Sequence, residues 1–122
     1  MEVAMNRTTA MVMAAILVGC PALAHAGSDQ IRAKLLGTAE WAYQTSRAGG
    51  MTSHNGKVWF VEEDGKLIGY VDAGWNCDAE VTVRPDGFDM EICTAGDKHF
   101  VRSGDGFTAT LGSYTYTIRP AP

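Results

Sequence analysis

Cysteine, proline and basic side chains are scarce in this 122-residue sequence, which has three Cys, four Pro, and ten Lys plus Arg against 14 Asp plus Glu, for a formal net charge of −4. Without a cluster of Lys and Arg it lacks the electrostatic footprint of a phosphate-backbone binder, so no nucleic acid is expected as a partner. There is no Cys-x-x-Cys, and the few Cys and His are too scattered for a zinc or redox centre, so no metal is expected. A Gly-rich phosphate cradle, a P-loop and an EF-hand spacing are also missing, and no cofactor is expected. The 14 glycines follow no period, which excludes a collagen-like array, and 46% hydrophobic residues with a small net charge exclude a disordered chain. A single domain is what this length allows.

A long hydrophobic run is missing too. Ala10 to Gly19 spans about ten residues, where a membrane-crossing helix needs roughly 20, and Pro21 follows it. With Arg7 before this run and the small triplet Ala24-His25-Ala26 after it, residues 1–26 read as a secretory signal peptide cleaved before Gly27. That leaves residues 27–122 as one small β-rich domain, periplasmic or secreted, with no transmembrane anchor after cleavage. An alternative reading starts from Leu17-Val18-Gly19-Cys20, which looks like a lipobox; lipidation of Cys20 would make the protein a membrane-anchored lipoprotein. Losing Glu2 and Arg7 removes one charge of each sign, so the acidic balance belongs to the folded part.

What is present is aromatic and alternating. All three Trp, four Tyr and four Phe lie after residue 40. Ser28 as N-cap, Asp29 in the first turn, Ile31, Leu35 and Leu36 on one stripe, and Gly37 as the stop predict a short helix that covers the core. Beyond Gly37 the period is two. Trp41 and Tyr43 share a face, Val58 and Phe60 alternate with Trp59 and Val61, and Leu67, Gly69 and Val71 alternate with Ile68, Tyr70 and Asp72. Tyr114, Tyr116 and Ile118 make a last strand that Pro120 ends. Turns fall at Glu63-Asp64-Gly65, Pro85-Asp86-Gly87, Ala95-Gly96-Asp97 and Ser103-Gly104-Asp105-Gly106. The expectation is a mainly β fold: a small antiparallel β-barrel or sandwich of seven or eight strands with a short N-terminal helix.

Cys77 and Cys93 are the only thiols after the expected cleavage site, and an oxidising compartment makes them a disulfide. They flank the strongest hairpin, in which pairing of Arg84 with Gly87 sets Val83 against Phe88, Val81 against Met90 and Ala79 against Ile92. That register puts Cys93 on the polar face and Cys77 on the apolar one. A bulge or the end of pairing near Asn76 or Thr94 must turn one of them.

Leu35-Leu36-Gly37 followed by Trp41 resembles the opening of lipocalin-like and other small barrel domains, where a short helix leads into a Gly- and Trp-bearing first strand. The likeness covers about seven positions, departs from the Gly-x-Trp spacing, and implies architecture without transferring a functional residue.

No nucleophile, base and orienting acid form a recognised motif, so no catalytic residue is assigned and an enzyme is not expected. Candidate binding residues are Met51, His54 and Asn55, in the stretch from Arg47 to Gly56 that has no strand pattern and reads as a long loop. Trp59, Tyr70 and Trp75 join them as aromatics on or near strands. His99 reads as an ordinary strand side chain. The expected function is an exported binding module, an inhibitor or interaction protein for a cationic partner such as a lysozyme. The alternative is a lipocalin-like barrel that holds a small apolar ligand between helix and strands.

Overall fold

The computed structural model describes residues 19–49, 53–93 and 96–122. Helix α1 (Gly19–Gly37) precedes nine strands: β1 (Trp41–Arg47), β2 (Ser53–Glu63), β3 (Lys66–Asp72), β4 (Asn76–Glu80), β5 (Thr82–Arg84), β6 (Gly87–Glu91), β7 (Asp97–Ser103), β8 (Gly106–Leu111) and β9 (Tyr114–Pro120). Their order in the single sheet is β4-β3-β2-β1-β9-β8-β7-β6-β5, with β1 pairing antiparallel to both β2 and β9. The strands at the two edges, β4 and β5, are separated in sequence by Val81 alone. The sheet is therefore a nearly closed up-and-down barrel, split along one seam where a single extended segment changes partners.

That segment explains why the expected seven or eight strands are counted as nine. Arg84 pairs with Gly87 and Val83 with Phe88, as the alternation predicts, and Thr82 with Asp89. The ladder does not go on to Val81–Met90 and Ala79–Ile92, because β4 pairs instead with β3, from Ile68 against Glu80 to Asp72 against Asn76. The Val81 amide donates to the Leu67 carbonyl at 2.8 Å, which commits the chain to β3 at the point of the switch. Cys77 and Cys93 bridge the seam, with their Cα atoms 5.3 Å apart. Cys93 turns toward its partner by adopting φ +56° just after β6 ends, which resolves the conflict of faces.

Two further expectations are corrected. Strand β2 begins at Ser53, so His54 and Asn55 lie in a ladder opposite Thr45 and Gln44 and not in a loop. Ser-His-Asn-Gly has turn chemistry and poor β propensity, but pairing with β1 overrides it. Helix α1 runs through Ser28, which is an interior residue and no N-cap, since Ala22 to Ala26 contains no breaker and Pro21 sits in the first turn where it is tolerated. Its docked side chains, Ile31 and Leu35, are buried one turn apart, and Arg32 pairs with Glu62 of β2. Among the described residues no helix is long and apolar enough to cross a membrane.

Under α1 the barrel is packed with rings. Phe88 stacks on Phe100 at 4.8 Å between centroids and meets Phe60 and Phe107 edge-on at 5.6 and 5.2 Å. Trp41 packs against Phe107 at 5.7 Å and Phe60 at 6.3 Å, and its indole N–H is buried without a hydrogen-bond partner among the described residues. A Cβ on Gly87 would overlap the Phe100 carbonyl, so only glycine lets β6 cross β7 so closely at this corner. At the β2–β3 turn, Asp64 and Gly65 both have positive φ, 54° and 79°, the geometry that matches the twist of a two-residue hairpin.

Candidate functional site

Register builds one surface on the outer wall. Trp59 of β2 lies opposite Tyr70 of β3, and Tyr70 opposite Asp78 of β4; the next row is Lys57, Asp72 and Asn76. Trp59 and Tyr70 are outward-facing by parity, since Val58, Phe60 and Val71 fill the interior. Their rings stack at 5.7 Å with planes 11° apart. The Tyr70 hydroxyl donates to Glu63 Oε2 at 2.6 Å, and this bond to a carboxylate is the main reason its acidity falls, with the pKa raised above 10.0. The two rings with Asp72, Asn76 and Asp78 line an open depression of about 400 Å³. Among the described residues no ion pair engages Asp72 or Asp78. The arrangement is a stacked aromatic pair with carboxylates beside it, whose outer ring faces suit a guanidinium or ammonium group.

A second surface forms at the barrel mouth, opposite α1. His54 and the exposed Trp75 meet edge-on at 5.3 Å. With Tyr43, Thr45, Tyr114 and Tyr116 they line a cup of about 240 Å³. Ile92 and Cys93 complete its wall, and the Trp75 indole N–H donates to Cys93 Sγ at 2.7 Å. Inside, Thr45 donates to the Tyr43 hydroxyl, and burial is the chief cause that raises the pKa values of Tyr43 and Tyr116. Lys98 points inward from β7 and is only 2% exposed. Its Nζ donates to the Gly96 carbonyl at 2.8 Å and lies 4.8 Å from the centre of the Tyr116 ring. Burial lowers its pKa below the usual lysine value, against the opposing charges of Glu91 and Asp97.

On the outer face of β6 and β7, His99 Nδ1 lies 2.6 Å from Asp89 Oδ1 and Nε2 lies 3.3 Å from Asp86 Oδ2; Arg84 Nε donates to Asp89 Oδ2 at 2.6 Å. The hydrogen bond to Asp89 raises the His99 pKa. Burial alone would raise that of Asp89, but bonds from His99 and Arg84 outweigh it and the pKa is lowered. These two carboxylates favour the protonated form of the ring.

The six candidate binding residues thus divide. Trp59 and Tyr70 share the wall, while His54 and Trp75 share the mouth. Asn55 lines a separate shallow hollow between Ala42, Gln44 and Arg119, and Met51 lies outside the described residues. Cys20 falls in the first turn of α1. Sequence reasoning missed Tyr43, Thr45, Tyr114, Tyr116 and Lys98 at the mouth and Asp72 and Asp78 on the wall. For Lys98 a signal existed, since it shares parity with Phe100. Among the described residues no group of His, Cys, Asp and Glu side chains could hold a metal ion. The chain matches no protein-family model, no curated protein and no solved structure.

Proposed function

We propose that the chain is an exported, non-catalytic binding module whose outer wall engages a cationic protein. One observation carries this reading: the stacked Trp59–Tyr70 platform stands beside Asp72 and Asp78, two carboxylates that bond no cation among the described residues. A basic side chain laid on such a platform gains a cation–π contact and a charged hydrogen bond together, about 0.5–1 kcal/mol for the first and more for the second. A non-catalytic role is supported by His99, whose ring nitrogens face the carboxylates of Asp89 and Asp86 and no nucleophilic side chain among the described residues. Export is supported by the leader-like residues 1–26 and by the disulfide, which persists in oxidising compartments. The apolar-ligand alternative draws less support, since Trp41, Phe60, Phe88 and Phe107 pack against one another beneath the helix.

The test is binding to a panel of basic extracellular proteins, a lysozyme first, at low and high salt. Affinity is expected to fall with salt. Trp59→Ala should weaken it by at least about tenfold, as for a central aromatic anchor, and Asp78→Asn should flatten the salt dependence. Salt-independent binding, indifference to Trp59→Ala, or no binding across the panel would overturn the reading. Intact mass of protein from its native host decides the address: a start at Gly27 supports free export, whereas an acylated Cys20 makes it an envelope lipoprotein.

A further inference from the structure

We propose that the barrel mouth is a second binding site, for a small planar carboxylate, with Lys98 as the charge that selects it. The site is independent of the outer wall and does not rest on the cationic-partner reading. Its motivation is a mismatch inside the barrel. The interior beneath α1 is closed by hydrocarbon, yet at the other end Tyr43, Thr45, Tyr116 and Lys98 are all buried. A buried ammonium is costly unless its three donors are met. Lys98 gives one to the Gly96 carbonyl and faces the Tyr116 ring with its charge, and among the described residues no carboxylate pairs with it. Lys98 does not itself line the cup, but the Tyr116 ring that its ammonium faces does, so a positive charge stands one ring behind a cup open to solvent.

The cup's own wall states the rest of the ligand's chemistry. His54, Trp75, Tyr114 and Tyr116 present ring faces and edges, so a flat apolar body is favoured. The volume of about 240 Å³ lies below the roughly 300 Å³ at which drug-sized pockets begin, and suits one ring with one acid group. The Tyr43–Thr45 hydroxyl pair lies deeper and can donate to an acid oxygen. In a pocket with low-dielectric walls, an ammonium one ring away still attracts an anion strongly compared with water. The same cup offers nothing to neutralise a ligand cation, since its lining holds no carboxylate.

The experiment is an NMR titration of the full exported chain with benzoate and, separately, with benzyl alcohol, a neutral molecule of matching shape. Saturable shifts are expected at Thr45, His54 and the Trp75 indole with benzoate. Benzyl alcohol, which carries no charge for the Lys98 ammonium to attract past the Tyr116 ring, should bind at least about tenfold more weakly. Lys98→Met should erase that preference while leaving binding to cationic proteins unchanged, and Trp59→Ala should do the reverse. Equal affinity for the two probes, unchanged benzoate binding in Lys98→Met, or shifts outside the mouth would overturn the proposal. Should Lys98→Met not fold, the two-probe comparison on the native chain together with Tyr114→Ala, an exposed rim position, still decides: loss of benzoate binding supports the site and no change refutes it.

Discussion

At the end of the barrel that α1 covers, the inward side chains are Trp41, Phe60, Leu67, Phe88 and Phe107, whereas toward the open end Tyr43, Thr45, Tyr116 and Lys98 are buried beside the aliphatic Val71, Met90 and Ile92. The same antiparallel strands build both ends, and the same alternation of parity points these residues inward. What differs is how each end is held. The covered end is held by packed rings and by Ile31 and Leu35 of the helix; the open end carries the Cys77–Cys93 bridge beside polar groups that bury at a cost. The two ends are thus held by different means, packed rings at one and a covalent bridge beside buried polar groups at the other.

Removing a ring under the helix should have the largest effect. Phe88→Ala deletes a side chain that touches Phe60, Phe100 and Phe107, and the cavity should cost about 3–5 kcal/mol in urea unfolding. A loss below about 1 kcal/mol would mean that the covered end is not the stability centre. Next comes the bridge. Cys77→Ser with Cys93→Ser releases a loop spanning 16 positions and should lose about 3 kcal/mol, matched by adding reductant to the native protein. If the double variant were as stable as the native chain, the seam between β4 and β6 would have to be held by packing alone.

The covered end was the more legible in the sequence, for a physical reason. Its residues announce themselves by local pattern: Ile31 and Leu35 one helical turn apart, Phe88 and Met90 alternating after Pro85-Asp86-Gly87, and Phe107 after a Gly-rich turn. The turn chemistry at Asp64-Gly65 and the pairing of the two cysteines were legible in the same way. The mouth was not, because its six ring and hydroxyl groups come from β1, β2, β9 and the β3–β4 turn and meet only when β9 closes against β1. His54 and Asn55 hid in a Ser-His-Asn-Gly stretch whose propensity favours a turn. The switch at Val81 hid for the opposite reason, since an unbroken alternation from Cys77 to Val83 carries no local mark of where the segment changes neighbours. On the wall, Trp59 and Tyr70 were legible as candidates, but their stacking depends on the β2–β3 register.

Lys98→Met sharpens the comparison from the other side. Where Phe88→Ala loses stability, replacing a buried ammonium by an apolar side chain of similar length should leave stability unchanged or raise it by about 1 kcal/mol. The sign of its pH dependence follows from the lowered pKa. The unfolded chain holds the proton more tightly than the folded one, so the native protein gains stability as pH rises from the folded pKa toward 10.5. Loss of that slope in Lys98→Met, read from unfolding midpoints, is the expected result; an unchanged slope would show that Lys98 is not charged against its surroundings.

The smallest effect belongs to the solvent-facing cluster of Arg84, Asp86, Asp89 and His99, which lies outside both ends of the interior. His99 has a folded pKa above its unfolded 6.5, so its contribution is complete below that value and is lost as pH rises through the folded pKa. Asp89 has a folded pKa below its unfolded 3.8, so its contribution is complete above that value and is lost as pH falls through the folded pKa. The pair therefore stabilises most between those two limits. Because the His99 side chain is 44% exposed, solvent screening should hold its worth to less than about 1 kcal/mol. His99→Gln should flatten the fall in stability as pH rises above 6.5 while leaving binding at the wall and the mouth intact. A large loss of stability on this substitution would mean that the β5–β6–β7 wall depends on a surface ion pair as much as on Phe88 stacked beneath it, and the division between a packed end and a polar end would no longer describe where the barrel is held.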